Sequence, residues 1–419
     1  MEMKKVLFVH QNFPGQFAKL APYLSRNGYA VKALRVGADK SKLLNGVDII
    51  GYDLNRASSN NIHPWVEDTE AKIIRAECCY RKAMELNKVA YVPDLIISHP
   101  GWGESLFLKD VWPSAKLGIY CEYYYKENGA DTGFDLEFKP NDKSHVLRTK
   151  LKNLNNLLHF EVADAGISPT HWQASTFPDR FRSKIAVIHD GIDTEALAPN
   201  AEVSLSFKNP AGEELKLSKQ DEVITFVNRN LEPYRGYHVF MRALPELLKR
   251  RPKARVLIVG GDDVSYGARP ENGQKWKDIF AAEVRPQMSD ADWSRVHFLG
   301  SLPYQYFIPL LQLSTVHVYL TYPFVLSWSL LEAMSVGCAI VASDTQPLHE
   351  AIQHNETGRL VNFFNHQALA AEVCSLLDNL AERKRLGANA RAFAQKNYDL
   401  KTVCLPAQLD WVNRLANSS

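Results

Sequence analysis

The sequence predicts an α/β fold of two doubly wound domains, on three observations. Apolar runs of strand length recur along the whole chain, segments of helical period separate most of them, and one polar, Pro-bearing stretch from Ala198 to Gln220 interrupts the series. Parallel strands covered by helices on both faces read as near-continuous apolar runs, which is the pattern seen. At 419 residues the chain also exceeds what one hydrophobic core usually serves, favouring two domains of roughly 150 to 200 residues.

The first series comprises VLFVH (6–10), YAVKALRV (29–36), VDIIGYDL (47–54), DLIISH (94–99), KLGIYCEY (116–123) and KIAVIHD (184–190). Within it Leu147, Leu151, Leu154, Leu158 and Val162 recur at spacings of three and four, which predicts one helix face. The second series comprises VITFVN, RVLIVGG, VHFLG, TVHVYLT, CAIVASD and GRLVN. The expected organisation is a Rossmann-like domain over 1–197 and a second over 198–400, facing each other across a central cleft. A helical tail over 401–419 is expected to cross back onto the first domain. Lys126–His145 has neither period and is long for a loop in a compact domain. It follows a strand at the carboxyl edge of the sheet, where open α/β sheets bind ligands, so it is read as an acceptor or lid loop. A mobile excursion is the alternative.

A formal charge of +2, from 49 Lys and Arg against 47 Asp and Glu, supplies no field to recruit nucleic acid. Six cysteines without CxxC spacing, mostly in apolar runs, point to a reducing cytoplasmic interior. The start MEMKKVLFVH reads as a first strand rather than a signal peptide. No apolar run approaches the roughly 18 residues of a membrane helix, while peripheral contact at the inner face of a membrane stays compatible with the sequence.

The most informative stretch is YPFVLSWSLLEAMSVGC (322–338), where a strand ends and a helix begins near Ser327. Free N–H groups and the dipole at a helix N-terminus attract phosphate, and Ser327 and Ser329 can cap or donate there. Glu332 sits in an otherwise apolar helix, where a carboxylate needs a partner. A ribose diol is one candidate, and solvent or an arginine is the other. VITFVNRNLEPYRG places Arg229 past a strand and Arg235 six residues later, two guanidiniums suited to a diphosphate. Their competing role is an ion pair with Glu232.

Together these segments resemble the retaining, two-Rossmann-domain glycosyltransferases called GT-B, and within them glycosyltransferase family 4 (glycosyl transferases group 1). In that family R-x5-K/R, matched by Arg229 and Arg235, binds the donor pyrophosphate, and the glutamate of E-A-M-x-x-G, matched by Glu332, binds the ribose. VIHDGID (187–193), HFLGSLP (297–303) and SDTQPLHE (343–350) are similar to further blocks, the second placing Leu302 beside the base. The resemblance implies that Ser327, Trp328 and Ser329 join the nucleotide site, that Phe324, Val325 and Leu326 form the donor-sugar region, and that Gly15 of VHQNFPGQF lies at the donor. Two positions depart from the pattern. Phe324 stands where a glutamate usually precedes Glu332 by eight residues, and Glu122 stands where many members have a histidine. Glu122 is a candidate sugar-hydroxyl ligand or general base, His99 a second candidate, and Glu104 a weaker one; each has a structural alternative. The implied activity is retaining transfer of a hexose from a nucleotide sugar, UDP-glucose or similar, to a glycan or lipid-linked acceptor, with no obligatory metal or cofactor.

Other readings are an idle sugar-nucleotide-binding protein and, from GWGESL (101–106), an NAD-dependent oxidoreductase. Leu106 stands in place of the third glycine of that fingerprint. Asp290 and Asp292 are expected to cap a helix, KRRPKAR (249–255) to end one, and CEYYY (121–125) to stack on sugars or pack the sheet.

Overall fold

The computed structural model describes residues 3–138, 144–208, 212 and 214–418. Parts of the expected loop (139–143) and of the polar, Pro-bearing stretch (209–211 and 213) therefore lie outside the described residues. The chain divides into two compact units. The first takes Met1–Gly133, Lys139–Gly191 and Leu400–Ser419; the second takes Phe134–Phe138 and Ile192–Asp399.

Unit 1 holds strands β1 (Lys5–Val9), β2 (Ala30–Val36), β3 (Lys42–Leu44), β4 (Val47–Tyr52), β5 (Leu95–Ser98), β6 (Lys116–Tyr120), β7 (Ala165–Ser168) and β8 (Ile185–Val187). Their order is β3-β4-β2-β1-β5-β6-β7-β8, parallel except for β3 against β4. The apolar runs become the central strands because Val6, Leu7, Phe8 and Leu95 to Ile97 are buried on both faces. Sequence reading missed β3 and β7. The second is AGIS, four residues whose Gly166 lets Cys121 approach: a Cβ there would lie 2.7 Å from the Cys121 sulfur.

The C-terminal helix Leu405–Asn417 belongs to unit 1 and buries Trp411, Val412 and Leu415 with Leu20, Leu24 and Ile97. A glycine in β6 makes this possible, since a Cβ on Gly118 would lie 2.6 Å from the Trp411 ring.

The expected single helix over 147–162 is instead two, Ser144–Lys152 and Leu154–Val162. Asn153 between them has its side chain fully committed to Tyr125: the amide donates to the Tyr125 carbonyl (2.8 Å) and its oxygen accepts from the Tyr125 N–H (3.0 Å). The leucine spacing was misleading. Leu147, Leu158 and Val162 are exposed, and the face turned inward carries Asn155, Asn156, His159 and Phe160. Asn155 donates to Pro100 O and Asn156 to Tyr123 O, so loop carbonyls, rather than an apolar layer, select that face.

Unit 2 holds an antiparallel hairpin, β9 (Ser204–Lys208) and β10 (Glu214–Ser218), inside the polar, Pro-bearing stretch from Ala198 to Gln220. Its sheet holds β11 (Val223–Asn230), β12 (Arg255–Gly261), β13 (Val296–Gly300), β14 (Val316–Tyr319), β15 (Ile340–Ser343) and β16 (Arg359–Val361). All pair in parallel in the order β13-β12-β11-β14-β15-β16. Strand order reverses at β11/β14 in this sheet and at β1/β5 in the other. The carboxyl ends at such a switch point form a ligand crevice.

Five residues of the expected loop belong to unit 2. Asp135 is buried against His238 (3.0 Å) and accepts from the Tyr322 hydroxyl (2.9 Å). Glu137 pairs with Arg242, and the rings of Phe134 and Phe138 pack on Phe363 and on Trp276. The segment is therefore an ordered part of that unit rather than a mobile excursion.

Trp411→Ala is expected to lower the unfolding free energy of unit 1 by about 3–5 kcal/mol, because it removes a fully packed indole and leaves a cavity over Gly118. Urea titration of the full chain measures this.

Candidate functional site

In unit 2, the crevice at the β11/β14 switch point is a cavity of about 300 Å³ whose lining includes Arg229, Arg235, Tyr266, Leu302, Ser327 and Ser329. Arg229 leaves the end of β11 exposed. Pro233–Arg235 then makes one tight turn, closed by Gly236 at φ 69°, where a Cβ would strike the Leu320 side chain at 2.4 Å. The turn carries the Arg235 guanidinium inward until only 5% of the residue is exposed. It donates to Thr321 Oγ1 (2.7 Å), Val325 O (3.1 Å) and Tyr319 Oη (3.3 Å), and lies over the Tyr266 ring at 5.1 Å. Among the described residues no carboxylate pairs with Arg229 or Arg235.

Glu232 does not supply the ion pair that sequence reading allowed. It is fully buried, and its carboxylate accepts the backbone N–H groups of Ser265 (2.9 Å), Tyr266 (3.3 Å) and Gly267 (2.9 Å). A carboxylate committed to three amides fixes the loop that holds Tyr266 against Arg235.

Helix Trp328–Ser335 starts at Ser327, whose hydroxyl accepts from Ser329 N–H (3.3 Å) while its own N–H donates to Tyr319 Oη (3.1 Å). Glu332 is nearly buried, and Oε1 accepts from the Tyr304 hydroxyl at 2.7 Å. Tyr304 was missed in the sequence although it directly follows HFLGSLP. Trp328 is exposed. Phe324, Val325 and Leu326 are buried and are not among the residues lining this cavity, but the segment meets Arg235 through the Val325 carbonyl and the Phe324 ring, 5.9 Å from the guanidinium. Phe324 packs instead on Tyr266 (4.9 Å) and Tyr234 (5.3 Å). An aromatic ring has no polar atom to hold a sugar hydroxyl, so it joins the ring cluster.

In unit 1, the switch point gathers His10 and Gln16 after β1, His99 and Trp102 after β5, and Glu122 after β6. The Glu122 side chain keeps 38% of its surface exposed. Gln16 Nε2 donates to its Oε1 (3.1 Å), and His99 Nε2 lies 3.4 Å from Oε2, a long contact. Burial favours the neutral acid, but the His99 contact and charge and the Gln16 hydrogen bond outweigh it and hold Glu122 below the usual carboxylate range. Burial, aided by the His99 charge, lowers His10 to about 4. Gly15 sits at φ 48° against the His10 ring, where a Cβ would lie 2.3 Å from Nε2. His10, Gln16 and Trp102 were missed, although VHQNFPGQ directly after a first strand is where such groups collect.

GWGESL does not open a nucleotide-binding helix. Pro100–Trp102 is a single 3₁₀ turn, the helix that follows, Leu108–Val111, has four residues, and Glu104 is buried with neither carboxylate oxygen hydrogen-bonded. Burial pushes that carboxyl up to about 7. Ser289, rather than Asp290 or Asp292, caps the helix at Asp290–Trp293. Tyr123 of CEYYY is buried, donates to Asp131 (2.7 Å) and stacks on Trp172. Among the described residues one set of metal-type ligands comes together, Asp135, Glu137 and His238 within 4.8 Å, with Asp135 and Glu137 engaged by His238, Tyr322 and Arg242 as above.

Two family models match the chain, "Glycosyl transferase family 4 group" over residues 29–197 and "Glycosyl transferases group 1" over residues 209–393. Among curated proteins, the D-inositol 3-phosphate glycosyltransferase of Corynebacterium efficiens is 28% identical over 222 residues, 52% of this chain and 47% of that protein. The phosphatidyl-myo-inositol mannosyltransferase of Mycolicibacterium smegmatis is 28% identical over 190 residues, 44% of this chain and 43% of that protein. The chain thus spans about half the length of the curated relatives it matches. Among solved structures, the sucrose-phosphate synthase of Thermosynechococcus elongatus aligns with a TM-score of 0.74 at 16% identity, covering 99% of this chain and 100% of that one. Anabaena HepE in complex with UDP-glucose aligns with a TM-score of 0.65 at 16% identity, covering 98% and 99%. These likenesses establish the GT-B fold.

His10, His159, His189, His297 and His317 are each held near 4, with burial the leading cause. Between about 6.5 and 4 the unfolded chain binds more protons at these sites, so stability falls as pH is lowered through that window. Glu104 has the opposite sign, adding stability below about 7. Five groups outweigh one, and denaturant midpoints should decline from pH 6.5 downward.

Proposed function

The chain belongs to the family 4, group 1 glycosyltransferases, and from that premise we propose that it transfers a hexose, with retention, from a nucleotide diphosphate sugar to a hydroxyl of a glycan or lipid-linked acceptor. UDP-glucose is the donor to test first, since HepE was solved with it. The relatives' names put inositol phosphates and phosphatidylinositol first among acceptors.

The observation that carries this reading is a buried arginine without a carboxylate. Arg235, with Arg229 at the rim, leaves cationic charge facing a cavity that also contains the N-terminal end of helix Trp328–Ser335. A diphosphate supplies the missing anion, and the dipole of that helix favours the same sign. In the proposed reaction the bond from the anomeric carbon to the β-phosphate oxygen breaks, and its electron pair leaves with the diphosphate. The acceptor oxygen bonds to the same face of that carbon, and its proton passes to the departing phosphate oxygen. Arg229 and Arg235 stabilise the charge that develops there. Glu332 accepts the ribose hydroxyls, with Tyr304 holding one carboxylate oxygen in place. Glu122 accepts a hydrogen bond from a sugar or acceptor hydroxyl, and its depressed pKa keeps it ionised for that task.

No helix among the described residues is long and apolar enough to cross a membrane. We place the protein in the cytoplasm, at the inner membrane face where the acceptor is lipid-linked.

Arg229→Ala and Glu332→Ala are each expected to weaken UDP binding roughly 10- to 100-fold, the loss of one or two charge-assisted hydrogen bonds. Calorimetry measures this, and undiminished affinity in both variants overturns the site. Because two guanidiniums supply the charge that a divalent cation would otherwise provide, UDP release from UDP-glucose and acceptor should continue in excess chelator. Complete loss restored by manganese would refute the metal-free mechanism.

A further inference from the structure

Two histidines of unit 1 accept backbone N–H groups at Nδ1, and for His10, which burial keeps neutral, that bond sets the tautomer. His10 Nδ1 accepts the Asn12 N–H at 3.0 Å, and His99 Nδ1 accepts the Gly101 N–H at 3.1 Å. A neutral imidazole that accepts at Nδ1 carries its proton on Nε2. His10 therefore carries an Nε2–H that faces the cluster around Gln16 and Glu122. His10 Nε2 lies 2.9 Å from Gln16 Oε1, so it donates there. That bond decides which way the Gln16 amide is turned. With its oxygen on His10, its nitrogen must face Glu122, where it donates to Oε1 at 3.1 Å. The reversed amide would set two donors against each other at His10 and oxygen against carboxylate at Glu122.

Both rings lie flush on glycines. A Cβ at Gly15 would come within 2.3 Å of His10 Nε2, and one at Gly101 within 2.7 Å of His99 Cε1. Trp102 closes the other side, 4.7 Å from the His10 ring and 4.5 Å from the His99 ring. The Glu122 backbone is held as well, its carbonyl accepting from Gln173 Nε2 at 2.7 Å. Every part of the carboxylate's position is thus specified except the lone pairs on its exposed surface.

We propose that His10 is a positioning residue that acts through Gln16 to orient the Glu122 carboxylate, so that its remaining lone pairs accept a hydroxyl of the polyol substrate. This rests on the role given to Glu122 above. The relay requires a neutral His10, because a proton on Nδ1 would oppose the Asn12 N–H. Burial above all keeps it neutral, with His99 and Arg35 also opposing a positive charge there, while the Gln16 hydrogen bond and the Glu122 charge favour one.

The test uses the full chain with His10→Phe, Gln16→Leu and the double variant, in transfer from UDP-glucose to an inositol phosphate and in ¹³C NMR titration of the Glu122 carboxyl. Each single variant should raise the Glu122 pKa and lower kcat/KM for the acceptor about 10- to 100-fold, while UDP affinity, measured by calorimetry, stays unchanged. The double variant should be no worse than Gln16→Leu alone, because the two residues act in series. A Glu122 pKa unmoved in His10→Phe, or losses that add in the double variant, would overturn the relay. If the wild-type chain transfers no sugar at all, the proposed function fails, and the NMR titration still decides whether His10 orients Glu122.

Discussion

The arrangement of the candidate site in unit 2 follows from one constraint, the burial of a guanidinium that has no carboxylate ion pair. An unpaired charge in a low-dielectric interior is costly, and Arg235 is tolerated because two hydroxyls, one carbonyl and an aromatic face solvate it. The acid best placed to neutralise it, Glu232, is committed to three amides of the Ser265–Gly267 loop. The same carboxylate therefore builds one wall of the site and acts on Arg235 only through its charge, without a direct ion pair. A site arranged in this way is pre-formed for an anion and loses little by binding one.

Unit 1 works by a different economy of interactions. Its cluster holds a carboxylate through the Gln16 amide, whose orientation descends from the Asn12 N–H through the His10 tautomer. Glycine is needed twice, at Gly15 and Gly101, because the rings that transmit the orientation lie directly on the chain. One unit thus presents fixed positive charge and the other a fixed hydrogen-bond acceptor. Transfer chemistry of the proposed kind calls for both, one for the leaving group and one for a hydroxyl.

Much of the fold was legible because its strands are buried on both faces. Strands such as β1, β5, β11 and β15 announce themselves as apolar runs. β7 was lost because a glycine and a serine occupy two of its four positions. The helices over 144–162 were misread because their buried face is polar, bonded to loop carbonyls that no periodicity records. In the site, Arg229, Arg235, Ser327 and Glu332 were readable from the spacing of charge and apolar residues. Tyr304, Gln16, His10 and Trp102 were not, since each matters through a partner distant in sequence or through a ring contact.

The sequence by itself determined the two-sheet architecture, the placement of cationic groups at a strand exit and the capped helix whose start lines the cavity, because these depend on local period and local charge. Tertiary structure decided which polar groups are paired and which are left open. It gave Glu232 to backbone amides, Tyr304 to Glu332, Phe324 to an aromatic cluster and Asp135 to His238 within unit 2. The physical reason is that a hydrogen bond or ion pair is a contest among neighbours in space, and the one-dimensional order of the chain names the competitors without naming the winner.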